Sequence, residues 1–193
     1  MKPYHHGDLK NMLIEAGIAY MNQNGVRDFS LRKVAAACQV SHAAPYNHFK
    51  DKEDLLTAMR EHVSEKFTSV LQDVLKMYQN GPDIIVHLGK AYVSFFMDNP
   101  QYFQFMFLHA NPTPIEASES SVFTSNSRPF ELFRKTAIEH MDSLKINPSM
   151  FADNIIAMWA IVQGLTSLFT LQGFVYYGNA EELVERILRE KFT

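Results

Sequence analysis

Within the stretch VAAACQVSHAAPYNHFKDKEDLL, Val34 to Leu56, the side chains of His42, Ala43, Ala44, Tyr46, Asn47 and His48 fall inside seven consecutive positions. No glycine-rich phosphate loop or zinc-ligand spacing accompanies them, and the His5-His6 pair clusters with nothing. The chemistry on offer is recognition by hydrogen bonding rather than bond making, so neither catalysis, a cofactor nor a metal is expected. Asn47 has the donor and acceptor that an adenine edge requires, or is a solvated amide near a helix end. Tyr46 can send its hydroxyl to a phosphate, or pack its ring on the first helix. His42 and His48 read as phosphate donors, base readers or plain surface residues. Ala43 and Ala44 are short enough to let backbone approach backbone.

Such residues work only if a helix presents them. Ser30 is a good N-cap for a helix whose inner face is Leu31, Val34, Ala35 and Cys38. A break follows at Gln39-Val40. Ser41 then caps a very short helix ending near His48 or Phe49. The pair has helix-turn-helix spacing, and the second helix of such a pair fits the ~12 Å major groove of DNA. With Val40, Pro45 and Phe49 as inward anchors, Ala43 and Asn47 point away from the core at about 100° per residue. Ala44 and Tyr46 flank them, and His42 sits at the exposed start. Ser30 and Lys52 begin helices, where free backbone N–H groups favour an anion; Ser30 reads equally well as a plain cap. Arg32 and Lys33 are further candidates for the DNA backbone. Tyr4, His5 and His6 form either an arm toward the minor groove or a tail. Gln39 occupies a turn position where glycine commonly supplies a positive φ. Pro45 deletes the first hydrogen bond of its helix.

The rest of the chain also reads as helix, and no convincing strand stands out. Leu9, Met12, Leu13, Ala16 and Tyr20 make a first helix, stopped by Asn24-Gly25. Asp51, with Asp54, caps a helix running toward Tyr78. Helices follow from Pro82 to Asp98, after Asn99-Pro100, over 129–144, over 148–172 and after Asn179 with Glu182. Residues 110–128 read as a long polar loop. The fold class is all-α with about nine helices: a helix-turn-helix domain over 1–52 and a larger helical domain over 53–193.

The bulk numbers agree with this reading. A chain of 193 residues that is 47% hydrophobic can bury a core, and 20% charged residues argue against disorder. The net charge of -3 alone argues against a nucleic-acid partner, but residues 1–60 hold eight Lys/Arg against six acids. One cysteine, Cys38, excludes an intramolecular disulfide and fits a reducing compartment. No apolar run approaches the ~20 residues that span a bilayer, and MKPYHHGDLK lacks a signal peptide's apolar segment. A cytoplasmic protein without a membrane partner is expected.

The segment from about Leu9 to Leu56 resembles the DNA-binding domain of the TetR family of bacterial transcriptional regulators. The likeness lies in LRKVAAACQVSHAAPYNHFKDKEDLL, above all VS followed by Y-N-H-F and K-E-D-L-L. It implies that Tyr46, His48 and Lys52 touch phosphates and that residues 42–44 lie in the groove, with Ser30, Arg32, Lys33, Ser41 and Asn47 around them. The stretch Trp159 to Leu165 resembles the Trp-x-x-x-His-Gly signature of one class of C-terminal domain in this family. Gln163 stands where that signature has histidine, so the role of that imidazole does not carry over.

A lone reader of this size contacts few bases. Two copies reading a palindromic operator remedy this. Trp159, Val162, Leu165, Leu168 and Phe169, with Leu183 and Ile187, are expected to form the homodimer seam, and Gly164 to permit close helix approach. An internal core is the alternative use of the same residues. The middle of the chain is rich in aromatics and methionines, the material of an adaptable pocket or of a packed core. The resemblance favours a pocket for a small-molecule effector, with Tyr92, Phe95, Phe96, Phe103 and Phe107 as lining and His87, His109, Trp159 and Gln163 as polar groups. The implied function is repression of transcription relieved by that effector, through a pendulum motion of the helix over 51–79. The alternative is an effector-independent DNA-bound helical protein serving nucleoid organisation or division control.

Overall fold

Three polar caps show how the sequence sets its helices. The Ser30 hydroxyl accepts from the Lys33 N–H, the Asp51 carboxylate from the Asp54 N–H, and the Asn179 amide oxygen from the Glu181 and Glu182 N–H groups. Each satisfies donors that a helix start leaves free. In the computed structural model the described residues are 6–79, 81–109, 115–118, 121–125 and 127–192; the side chains of 6–8, 109, 115–118, 121–125 and 192 are excepted. Among them are α1 (His6–Asn24), α2 (Leu31–Ala37), α3 (Lys52–Tyr78), α4 (Ile84–Asp98), α5 (Pro100–Phe103), α6 (Arg128–Ser143), α7 (Phe151–Thr170) and α8 (Ala180–Phe192).

The fold is all-α, with two differences from expectation. Residues 110–128, read as a loop, include an antiparallel hairpin of β1 (Ile115–Ser118) and β2 (Ser121–Ser125), registered by Ile115 opposite Ser125 and Ser118 opposite Ser121. The strands are too short for a period-2 pattern to stand out. Asn99, expected to open the next helix, closes α4: its backbone N–H and its side-chain amide both donate to the Phe95 carbonyl, at 3.1 and 2.8 Å. α5 continues into a π-helical turn over Gln104–His109.

The chain forms two compact units. Described residues up to Val63, together with Gln101 to His109, make one; Ser64–Pro100 and the described residues from Ile115 onward make the other. α3 contributes to both. These packing units do not coincide with the division expected at residue 52. Val63 is buried in the first unit, and the segment after α4 returns to it. There Tyr102 donates to Glu15 at 2.6 Å, beside the 2.7 Å His62–Glu15 pair, and the Asn22 amide donates to the Gln101 carbonyl at 2.8 Å. The first unit is closed by Leu13, Ile18, Val34, Phe49, Leu55 and Met59, all essentially inaccessible.

In the second unit Val86, Val93, Val162, Val184 and Leu188 form the core. Gly89 lets α4 approach α8: a Cβ there would lie 2.5 Å from Leu188 Cδ1 and 3.3 Å from Val162 Cγ1. The helical stretch Pro148–Thr170, counting the 3₁₀ turn before α7, is long and apolar enough by length and composition to cross a membrane, as the core helix of a globular protein also can be. Its apolar residues are interrupted by Asp153, Asn154, Gln163, Thr166 and Ser167, so no uninterrupted run marks it in sequence.

Candidate nucleic-acid interface

α2 ends in a paired turn. Gln39 N–H donates to the Ala36 carbonyl and Val40 N–H to the Ala35 carbonyl, both at 3.0 Å. Gln39 takes φ 57, the left-handed geometry this helix end requires. The sequence located this strained position correctly. The next element differs from expectation. Pro45 has no N–H to donate to Ser41, so the Ala44 N–H takes that carbonyl at 3.0 Å and the Tyr46 N–H takes Ala43 at 3.2 Å. The result is a 3₁₀ turn over Ala44–Asn47 rather than an α-helix reaching His48 or Phe49.

This turn is anchored as the spacing foretold. Pro45 and Phe49 are buried and Val40 is half-buried, while Ser41, His42, Ala43, Tyr46 and Asn47 are exposed. Ala44 and His48 are half-buried. Tyr46 keeps 53% of its surface in solvent, so its ring is not spent on packing. α3 then starts from a reciprocal cap in which Asp51 accepts from the Asp54 N–H and Asp54 from the Lys50 N–H, each at 2.9 Å. The cap puts Lys52 at the first helical position.

Two of the lysines around this face, Lys33 and Lys52, already have partners. Lys52 Nζ donates to the Val26 carbonyl at 3.0 Å and lies 5.7 Å from the centre of the Phe29 ring. Lys33 Nζ pairs with Asp28 Oδ1, and the Tyr20 hydroxyl donates to Asp28 Oδ2 at 2.7 Å. Hydrogen bonds from Lys33 and then Tyr20 hold the Asp28 carboxyl below its usual range, and Asp28 in turn raises the Lys33 ammonium. Sequence reasoning missed Asp28 and Tyr20; the five-residue interval between Asp28 and Lys33, across a helix cap, has no periodic signature. Arg32 is exposed. Cys38 is half-buried, with its Sγ 3.6 Å from the Met12 carbonyl, and burial pushes its thiol up. Tyr4 and His5, and the side chain of His6, lie outside the described residues.

The expected pocket residues separate into groups. In the second unit the Phe67 ring lies 5.1 Å from Phe95 and from Phe96 and 5.3 Å from Tyr92. Tyr92 donates to Gln163 Oε1, and the Trp159 ring lies 5.4 Å from Phe130. Burial pushes the Tyr92 phenol up. These side chains pack on one another as a core. Phe103 and Phe107, 5.1 Å apart, belong to the first unit, and His87 stacks on Tyr78 at 3.5 Å. The side chain of His109 lies outside the described residues. An open groove of about 590 Å³ between α3 and α6 is lined by Thr68, Gln72, Leu132, Ile138, Arg128 and Lys135 among others, and by none of the expected pocket residues. No cluster of three or more metal-ligating side chains occurs among the described residues.

The seven residues expected in the seam differ in how far they reach solvent. Val162 is buried in the core of its own unit, and Trp159, Leu165 and Phe169 pack against that core. Leu183 and Ile187 are half-buried. Leu168 alone of the seven is exposed, at 45%. The outward residues of α7 are Asp153, Ile156, Ala157, Ala160, Gly164, Ser167 and Leu168, with Leu171 just beyond its end. At 3.6 residues per turn they fall within about a third of the helix circumference. Apolar residues occur on both faces, so their count could not tell which one the core takes; Asp153 and Ser167 on the same arc as the small residues Ala157, Ala160 and Gly164 were the available signal.

Residues 13–59 match the model of the bacterial regulatory proteins of the tetR family, and residues 85–190 match that of the tetracyclin repressor-like C-terminal domain. No curated protein sequence matches the chain significantly. Among solved structures, the transcriptional regulator FadR from Bacillus subtilis in complex with stearoyl-CoA superposes with a TM-score of 0.73 at 13% identity, covering 95% of this chain and 97% of that one. A protein with unknown function from Rhodococcus sp. RHA1 gives 0.69 at 23% identity, covering 98% and 96%. The TetR-family regulator PfmR from Thermus thermophilus gives 0.65 at 16% identity, covering 96% and 94%. The second family model alone spans more than half of the 193 residues, and the first coincides with the capped helix pair and its exposed turn. The chain therefore belongs to the tetR family of bacterial regulatory proteins and is a DNA-binding transcriptional regulator.

Proposed function

We propose that the protein is a cytoplasmic homodimeric repressor that binds a palindromic operator on the nucleoid and is released from it by a small-molecule effector. The observation that carries the reading is the exposed row Ser41, His42, Ala43, Tyr46 and Asn47 on a turn pinned by buried Pro45 and Phe49. In this reading Ala43 and Ala44 admit the backbone to the groove, and Asn47 reads an adenine edge. Tyr46, His48, Ser30 and Lys52 hold phosphates, with Arg32 and Lys33 beside them. Residues 1–52 do the reading; 53–193 bind effector and pair. The outward arc of α7, from Ile156 to Leu171, supports pairing of two copies through a four-helix bundle with α8. Two heads then address half-sites about 34–36 Å apart. α3 runs unbroken from Lys52 to Tyr78 and transmits displacement from an effector to the head. Mapping of chromosomal binding sites tests the operator. Sedimentation of the wild type and of Leu168→Glu tests the pairing: a dimer that Leu168→Glu splits is expected, and a wild-type monomer refutes it.

A second reading is favoured by the packing of Phe67, Tyr92, Phe95 and Phe96 as a core. In it the protein regulates without an effector, in nucleoid organisation or division control. A thermal-shift screen separates the two. Acyl-CoA thioesters come first, because the FadR neighbour holds stearoyl-CoA. Stabilisation by a compound that also weakens operator binding supports the first reading; no stabilising compound supports the second.

A further inference from the structure

The turn Val26–Asp28, between α1 and α2, holds both lysines that the reading face offers to phosphates. Its Asp28 carboxylate takes the Lys33 ammonium and its Val26 carbonyl takes Lys52. Asp28 is fixed from behind by the Tyr20 hydroxyl at 2.7 Å, and the Tyr20 ring lies 6.5 Å from buried Phe29. A carboxylate oxygen and a phosphate oxygen are alternative acceptors for one ammonium. We propose that Asp28 is an internal phosphate substitute that occupies Lys33 in the DNA-free protein and must be displaced when the head docks, so that it sets how tightly the regulator grips DNA backbone.

The proposal rests on the DNA-binding role of the head and adds to it a residue that opposes binding. Lys33 and Asp28 keep 44% and 51% of their side-chain surface in solvent, so the exchange needs no unfolding. An exposed pair of this kind is weak enough for a phosphate to break. Tyr20 makes the device a fixed acceptor rather than a passing contact, because it holds the carboxylate in place when Lys33 leaves. Lys52 has no such competitor, since a neutral carbonyl yields to a phosphate at lower cost.

The test is a double-mutant cycle on the full-length protein: wild type, Asp28→Asn, Lys33→Met and the double variant. A fluorescent mixed-sequence duplex of about 30 base pairs, long enough for two half-sites, is titrated at several salt concentrations. Asp28→Asn is expected to bind about two- to five-fold tighter, the range an exposed pair can return. Its log–log salt slope should be steeper by about 1, for the one ammonium newly available to phosphate. In the Lys33→Met background the same change should alter affinity less than about 1.5-fold, because no ammonium remains to be released. An equal gain in both backgrounds means that Asp28 acts only as a distant repelling charge, and overturns the proposal. Weaker binding by Asp28→Asn means that it orients Lys33 for DNA, and overturns it too. Absence of salt-dependent binding by the wild type contradicts the DNA-binding role itself, a separate failure. Melting curves of all four proteins show that folding is retained.

Discussion

Gln39 closes α2 at φ 57, in a region that costs an ordinary L-residue about 1–2 kcal/mol. Its side chain is exposed, so replacing it sacrifices no packing. Gln39→Gly removes the steric cost but adds about 0.5–1 kcal/mol of chain freedom lost on folding. Taking the middle of each range, the difference is a net stabilisation of about 0.75 kcal/mol. For a chain of this size each kcal/mol moves Tm by about 2–4 °C, so a rise of about 1–4 °C is expected. Gln39→Val tests the same geometry from the other side. A β-branched residue fits the left-handed region worse than glutamine, and a fall of at least about 2 °C should follow. Gln39→Asn should lie between glycine and the wild type. Differential scanning calorimetry of the four proteins decides the matter. A lower Tm for Gln39→Gly together with an unaffected Gln39→Val would refute the left-handed helix end and the turn geometry built on it.

Gly89→Ala puts a methyl 2.5 Å from the buried Leu188 side chain and should cost about 1–3 kcal/mol, seen as a lower urea midpoint; an unchanged midpoint would mean that α4 and α8 do not approach so closely. Tyr46→Ala and Lys52→Ala should weaken binding to every duplex and flatten its salt dependence, whereas Asn47→Ala should relax preference at one base pair by about 1–3 kcal/mol. Uniform loss for Asn47→Ala would show that it touches backbone instead. Burial lowers the His140 and His87 imidazoles below the ordinary 6.5. The unfolded chain therefore binds protons first, and stability should be lost as pH falls through 6.5, levelling off only below the folded values. Urea titrations of His140→Gln across this range should show a shallower fall than the wild type.

Much of this protein follows from local chemistry that a sequence displays. Ser30, Asp51 and Asn179 open helices because their short polar side chains reach free N–H groups a few residues ahead. Gln39 was recognisable as the strained turn residue, and Pro45 and Phe49 as the anchors of the exposed turn, because these roles depend on near neighbours in the chain. The 3₁₀ form of Ala44–Asn47 stood one step further away: Pro45 was known to delete a bond, but which carbonyls the remaining N–H groups would choose depends on how the turn packs. Where two readings were locally equal, tertiary structure decided. α7 carries apolar residues on both of its faces, and its packing against Val86, Val184 and Leu188 shows that Val162 faces inward and Ile156, Gly164 and Leu168 outward. The return of Tyr102 to Glu15 on α1 and the hold of Asp28 on Lys33 likewise arise from meetings that no periodicity records. Helix caps and turns are decided within a few residues of chain, whereas the partner of a side chain is decided by whatever the fold brings within hydrogen-bonding reach.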